Sequence, residues 1–218
     1  MTRIQRETVA DKSAEVLRDR ILRGTLRPGT AVTEDAVADD LGVSRATVRQ
    51  ALNTLMLEGV LTRHPTTRVL QVTQLSDEDV RDIYRARRFL ELGGVEAAAH
   101  APPSAFARLT DAVRELEKAV ANDDVLAFVK ADFRCHAEVV AFLGSTHLSA
   151  AHAQLMSKLR LAVTQVNVHK KGNQNDLAVH REFLTLLTAG DTEGARRNLS
   201  DRFDRAEHAV RGQAAAAD

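Results

Sequence analysis

Tryptophan is absent from this 218-residue chain, and one tyrosine and seven phenylalanines hold its aromatic content to 4%. Its core must be aliphatic, which suits packed helices. Cysteine occurs once, as Cys135, which excludes an intrachain disulfide and fits a reducing cytoplasm. Net charge is missing as well: 30 Lys and Arg balance 30 Asp and Glu. That excludes bulk electrostatic attraction to nucleic acid, so any DNA contact must come from a local patch. No apolar run approaches about 18 residues, and the N-terminal stretch lacks the apolar segment of a signal peptide. The expectation is a cytoplasmic protein without a membrane partner. The length suits one large domain or two small ones.

What the chain does have is helical periodicity. Residues 8–23 place Val9, Val16, Leu17, Ile21 and Leu22 at near-helical spacing, and Gly24 stops that helix before an Arg27-Pro28-Gly29 turn. Thr33 is an N-cap for a short helix through Leu41, with acids in its first turn. Ser44 caps the next helix, which runs to about Glu58 and ends at Gly59. Residues 60–63 and 68–72 read as two short strands around His64-Pro65-Thr66-Thr67. Three helices and a hairpin make a winged helix-turn-helix over residues 1–75. Residues 76–218 show only helical periodicity. Helices are expected near 77–100, 104–121, 123–143, 147–170, 175–189 and 192–212, broken at Ala101-Pro102-Pro103, Asn122, Gly144-Ser145, Gly172-Asn173 and Gly190-Asp191. The expected fold is therefore mainly α: an N-terminal winged helix-turn-helix with a small β-hairpin, then an all-α six-helix bundle. A closing run of four alanines, 214–217, should fray.

Charge is distributed unevenly in the first half. Residues 31–40 carry Glu34, Asp35, Asp39 and Asp40 and no cation, whereas residues 41–72 carry Arg45, Arg49, Arg63 and Arg68 against Glu58 alone. On a helical wheel Val48, Ala51, Leu52 and Leu55 gather on one arc and must pack inward. Arg49, Gln50, Asn53, Ala46 and Thr47 fill the other side, free to enter a major groove. Arg45 and Arg49 suit a guanine edge or a phosphate, Gln50 an adenine, and the Thr47 methyl a thymine. Ser44 and the helix N-terminus suit a phosphate. His64, Thr66 and Arg68 of the wing are placed to reach backbone or minor groove. The plainer alternative, two solvated arginines on a surface helix, leaves the turn, cap and wing unexplained.

The second half carries polar groups on apolar faces. Asp132 and His136, four apart, share a face with Phe128, Val129 and Val139. His180 lies among Leu177, Phe183, Leu184 and Leu187; Arg202 among Ala195, Leu199, Ala206 and Ala209; Arg87 and Glu91 among Val80, Ile83 and Leu90. Unpaired buried charges cost several kcal/mol each, so these groups must meet one another, a metal or a ligand. Asp132, His136 and His180 offer a carboxylate and two imidazoles to a divalent cation such as zinc. Three arrangements stay open: a metal on that set with Arg202 gripping an anionic effector, a metal-free pocket in which Arg202 and the histidines hold a carboxylate, or a structural network pairing Asp132 with Arg202. Arg87 is either an intrahelical partner of Glu91 or a ligand contact. His152 and His169 read as interhelical hydrogen bonders, Cys135 as a core thiol, and Gly93-Gly94 as a close-packing point.

No Gly-rich phosphate loop or nucleophile elbow is present. The enzyme alternative is a metal-dependent activity on Asp132, His136 and His180, which leaves residues 1–72 without a purpose; a DNA-binding protein with no effector is a third class.

Leu26-Arg27-Pro28-Gly29, then Leu41-Gly42-Val43-Ser44-Arg45, Val48-Arg49-Gln50-Ala51-Leu52, Leu55 and Glu58-Gly59, resembles the GntR family of bacterial transcription regulators. The second half is similar to the FadR-like branch, whose ligand domain is called FCD. The resemblance implies a homodimer on a palindromic DNA operator, acting as a repressor under small-molecule control. It also implies a metal held by an Asp and a His four apart and by two later histidines. Asp132, His136 and His180 match three of those positions, and Arg202 stands at the fourth. Two further departures are Ala46-Thr47, where the family often has Thr-Pro, and a wing without a glycine near Val69.

Overall fold

Thr8 opens the first helix with a reciprocal cap: its hydroxyl accepts from the Asp11 amide at 3.1 Å, and the Asp11 carboxylate accepts from the Thr8 amide at 2.9 Å. This helix, α1, spans Val9–Leu22. The computed structural model describes residues 8–168 and 174–214. His169, the break at Gly172-Asn173 and most of the alanine tail lie outside the described residues. The chain divides into two compact units between Gln74 and Leu75.

In the first unit α1 is followed by α2, Glu34–Leu41, and α3, Arg45–Leu57. Gly42 closes α2 at φ 64°, a left-handed conformation that lets the chain turn sharply into the Ser44 cap of α3. Strands β1, Leu61–Arg63, and β2, Leu70–Val72, pair antiparallel with Leu61 opposite Val72. Ala31 adds a bridge to Gln71, a third short edge that the sequence did not announce. The core is Leu17, Ile21, Val48, Leu52, Leu55, Leu61 and Val72. The expected stripe of α1 is partly corrected: Val9 and Val16 face water, and the smaller Ala10 and Ala14 are buried beside Leu17 and Ile21. A bidentate Arg18–Glu58 pair at 2.9 and 2.7 Å ties α1 to the end of α3.

The described residues of the second unit form six α-helices: α4 Asp77–Ala98, α5 Ala107–Ala121, α6 Val125–Ala141, α7 Thr146–Val168, α8 Gln174–Thr188 and α9 Thr192–Ala214. Ser76 and Asp79 form a second capping box at the start of α4. The segment expected to begin α5 is a 3-10 turn, Pro103–Phe106, and the α-helix itself starts at Ala107. Helix α6 starts later than expected: Asp123 takes a left-handed φ of 52°, and Asp124 caps the helix from the Ala127 amide at 3.0 Å. Helix α4 packs against α6, α7 and α9, while α8 lies on α5 and α9. Inward faces from all six helices build one apolar core, including Tyr84, Leu116, Phe128, Leu159, Leu199 and Phe203. Among the described residues no helix is long and apolar enough to cross a membrane.

Gly94 sets the approach of α4 to α6. A Cβ there would strike the Val139 carbonyl oxygen and lie 2.8 Å from its carbon, whereas a Cβ at Gly93 would meet only Leu143 Cδ2 at 3.5 Å. Gly94→Ala is therefore expected to destabilise the protein by about 1–3 kcal/mol through overpacking against rigid backbone. Gly93→Ala should be neutral or gain up to about 1 kcal/mol of helix propensity. Urea midpoints of the two variants compare them directly, and equal midpoints would contradict the close-approach role of Gly94.

Candidate functional site

Two sites emerge, one in each unit. In the first, the Ser44 hydroxyl accepts from the Thr47 amide at 3.2 Å and exchanges a 2.9 Å hydrogen bond with the Thr47 hydroxyl. With Val48, Ala51, Leu52 and Leu55 buried, the opposite face of α3 is turned outward. Ser44, Arg45, Arg49 and Gln50 are exposed there, and Thr47 is half-buried. The two arginine side chains are 69% and 65% exposed, so neither guanidinium is tucked into the body of the unit.

Neither arginine stands alone, however. Arg45 pairs with Asp35 at 2.8 Å, and Arg49 holds Glu34 bidentately at 2.9 and 2.8 Å. The acids opening α2 thus face the cations opening α3. Their mutual hydrogen bond pulls the Glu34 carboxyl below its usual range and raises Arg49 further. The sequence showed these charges as separate acidic and basic stretches; the turn at Gly42 folds one onto the other.

In the wing, Arg68 and Thr66 are exposed and His64 is half-buried. His64 Nδ1 accepts from the amides of Thr66 and Thr67 at 3.2 and 3.1 Å, which fixes the tip. The positive φ expected of a glycine is adopted instead by Arg68, at 62°. That conformation costs a non-glycine residue about 1–2 kcal/mol.

The second site lies in the helical unit. A cavity of about 320 Å³ is lined by Tyr84 and Arg87 of α4, Asp132 and His136 of α6, His180 of α8, and Arg202 and Phe203 of α9, among others. Asp132 Oδ1 is 2.9 Å from His180 Nε2, 3.7 Å from His136 Nε2 and 3.6 Å from an Arg202 terminal nitrogen. That nitrogen is 3.1 Å from His136 Nε2 and 2.6 Å from His180 Nε2. The outer ring nitrogens fix both imidazoles. His180 Nδ1 donates to the Asp176 carbonyl at 2.7 Å, and His136 Nδ1 is hydrogen-bonded to Glu91. Both Nε2 atoms therefore turn inward.

Glu91 is fully buried and serves three partners: His136, Arg87 through Nε at 3.0 Å, and His152 Nε2 at 3.0 Å. Burial alone would raise its pKa, but His136 and Arg87 hold it well below the usual carboxylate range. Asp132 follows the same pattern: burial works to raise its pKa, and His136, His180 and Arg202 together keep it low. Burial pushes His136 down to about 4 against the attraction of Glu91. Arg202 is lowered by burial, with Asp132 opposing. The Arg87 guanidinium rests against both the Tyr84 and Phe203 rings, 5.0 and 4.9 Å from their centroids, where the two rings meet edge to face. Among the described residues the buried Tyr84 hydroxyl has no hydrogen-bond partner, and burial raises its pKa to about 12, so it remains a phenol.

Similarity to known proteins now decides the family. Residues 9–69 match the bacterial regulatory proteins of the gntR family, and residues 82–205 match the FCD domain. The chain belongs to the GntR family, in the branch that carries an FCD domain. It is a DNA-binding transcription regulator with a C-terminal effector-binding domain, and not an enzyme. It is 30% identical over 134 residues to YdhC of Bacillus subtilis, described as an uncharacterized HTH-type transcriptional regulator. That match covers 61% of this chain and 59% of the length of YdhC. A probable D-xylose utilization operon transcriptional repressor of Paenarthrobacter nicotinovorans is 26% identical over 204 residues, covering 91% of this chain and 87% of that one. A crystal structure of a putative transcriptional regulator GntR from Rhodococcus sp. RHA1 superposes with a TM-score of 0.74 at 26% identity, covering 93% of this chain and 97% of that one.

Within this regulator Asp132, His136, His180 and Arg202 meet at one point, and Arg87 joins them through Glu91. Asp132, His136 and His180 offer three ligand atoms within 4.8 Å of one another, a possible metal site. His152 does hydrogen-bond between helices, and Cys135 is a buried free thiol that burial raises to about 12. Tyr84 and the hub role of Glu91 were not anticipated. Both follow the α4 face already marked by Val80, Ile83 and Arg87, so spacing contained the signal for their burial but not for their partners.

A pH dependence follows from His136. An unfolded histidine takes up its proton near pH 6.5, the folded one only near 4. Between those values the unfolded chain binds the extra proton, so stability is lost as pH falls. The carboxylates Glu91 and Asp132 act in the same direction, but below their own ordinary values of 4.5 and 3.8. Unfolding free energy measured in urea should be about 1–2 kcal/mol lower at pH 5 than at pH 7.5. His136→Gln should remove that part of the slope; equal or greater stability of the native protein at pH 5 would contradict the buried neutral imidazole.

Proposed function

We propose that this chain is a cytoplasmic repressor that binds a palindromic operator as a homodimer and releases it when a small carboxylate-bearing metabolite occupies the cavity of the helical unit. The observation that carries the DNA half is the outward, cationic start of α3: Ser44 caps the helix, and Arg45 and Arg49 project into solvent beside it. In this reading Arg45, Thr47, Arg49 and Gln50 meet base edges. Ser44 and the helix N-terminus meet phosphate, and His64, Thr66 and Arg68 track the backbone or minor groove. Half-sites lie about one helical turn, roughly 34 Å, apart.

The homodimer is supported by Phe89 on α4, 84% exposed in a chain with few aromatics, with the half-buried Leu92 three residues further along. A second copy is the surface that would cover it. Repression is supported by the name of the Paenarthrobacter nicotinovorans relative.

The effector reading rests on the cavity. Arg87 spends only Nε on Glu91, and Arg202 only one terminal nitrogen on its neighbours, so guanidinium N–H groups remain for a carboxylate. Tyr84 supplies a hydroxyl that nothing in the described residues satisfies. A ligand shifts the DNA-binding equilibrium only by its differential affinity for two arrangements of the regulator. The helix leaving the first unit, α4, carries Tyr84, Arg87 and Glu91 and is the element through which that difference acts.

Fluorescence anisotropy on operators selected from a random duplex pool tests the first half. Arg49→Ala should weaken the selected operator by about 1–3 kcal/mol, the weight of one bidentate base contact. Undiminished binding removes Arg49 from the reading surface. A thermal-shift screen of small carboxylates tests the second. Tyr84→Phe should stabilise the ligand-free protein by about 1 kcal/mol, because it deletes an unsatisfied buried hydroxyl, yet reduce the shift given by the best carboxylate. An unchanged shift would separate Tyr84 from the ligand.

A further inference from the structure

The Asp132, His136 and His180 set contains a conflict that one residue resolves. Two imidazole Nε2 atoms and a carboxylate oxygen, all electron-rich, converge within 4.8 Å. The Nδ1 atoms are committed to Glu91 and to the Asp176 carbonyl, so neither ring can turn its proton inward without losing a buried hydrogen bond. Three such donors repel one another unless something positive sits between them. A divalent ion is the usual answer. Here the Arg202 terminal nitrogen, at 2.6, 3.1 and 3.6 Å from the three atoms, already holds the place an ion would need.

The donor set therefore does not fit a resident divalent metal as it stands. An ion bonded at about 2.0–2.2 Å to these atoms would collide with that nitrogen and meet its like charge. Arginine cannot resolve the clash by deprotonating, since its guanidinium stays charged at any accessible pH. Retreat is also opposed. Arg202 is 11% exposed and lies over the Phe183 ring, and its departure would strip Asp132 of its nearest permanent cation.

We propose that Arg202 is the resident cation of this pocket, occupying the locus of a metal ion and making the effector domain metal-independent. One terminal nitrogen neutralises Asp132 and satisfies the two imidazoles, and the rest of the guanidinium faces the cavity. The proposal concerns this chain's departure at a single position. It stands or falls separately from the DNA-binding reading, because its test reads metal content and not operator affinity.

The test compares the native protein with two variants, using zinc alone as the probe. Native protein purified without chelator should contain far less than one metal per chain by elemental analysis. Its melting temperature should move with neither EDTA nor added zinc. Arg202→His should gain a fourth ligand, the third nitrogen of the set: an imidazole at 202 ends roughly 2 Å short of the guanidinium nitrogen, about one zinc–nitrogen bond length. That variant should carry about one zinc per chain, bind it on the order of 10–100-fold or more tighter than native protein, and melt lower after chelation. Arg202→Gln keeps the bulk and loses the charge. It should melt below native protein and regain part of the loss with zinc, and it decides the matter if Arg202→His does not fold. Stoichiometric metal in native protein with a melting point lowered by EDTA would overturn the proposal. So would variants no more responsive to zinc than the native chain.

Discussion

The helical unit depends on one buried carboxylate. Glu91 has no exposed surface, and an ion left alone in such a place would cost several kcal/mol. Three partners meet it: Arg87 from one turn along its own helix, His136 from α6 and His152 from α7. His136 passes the connection on to Arg202 of α9, which reaches His180 of α8 and Asp132. Five helices are thus joined by a single charged network, and the cavity is the space this network leaves open. Packing and ligand chemistry cannot be separated here. Residues that fix how α4, α6, α7, α8 and α9 sit together also furnish the polar groups of the pocket.

The same network marks how far the sequence could be read. Helix faces are encoded by spacing, so the inward positions of Asp132, His136, His180, Arg87 and Arg202 were visible as polar residues in apolar stripes. Spacing also showed Glu91 beside Arg87, because partners four residues apart are neighbours on one helix. The contact of Glu91 with His136 joins residues 45 apart, and no periodicity records which faces of two helices meet. Tyr84 escaped notice for the same reason: its burial is ordinary, and only the assembled bundle reveals that its hydroxyl lacks a partner.

The first unit was legible where local rules dominate. Thr33 and Ser44 cap the helices that follow them, as their positions before helical periodicity imply, and Gly42 makes the left-handed turn. Rules of size misled in α1, where the smaller Ala10 and Ala14 pack inside and the larger Val9 and Val16 face water. The wing shows substitution of means. Without a glycine, Arg68 accepts the left-handed backbone itself, supported by the His64 amide–carbonyl bonds around it, so a cation sits where a neutral residue usually turns.

The pairing of Glu34 with Arg49 and of Asp35 with Arg45 has a consequence for search along a chromosome. On the proposed reading each guanidinium would meet a duplex already holding an anion, so a bare phosphate would offer it merely an exchange of like for like. Random sequence would then gain little grip on a protein whose overall charge is zero. A binding surface neutralised in advance would let the molecule pass over unrelated DNA and dwell where base edges offer more than a carboxylate does.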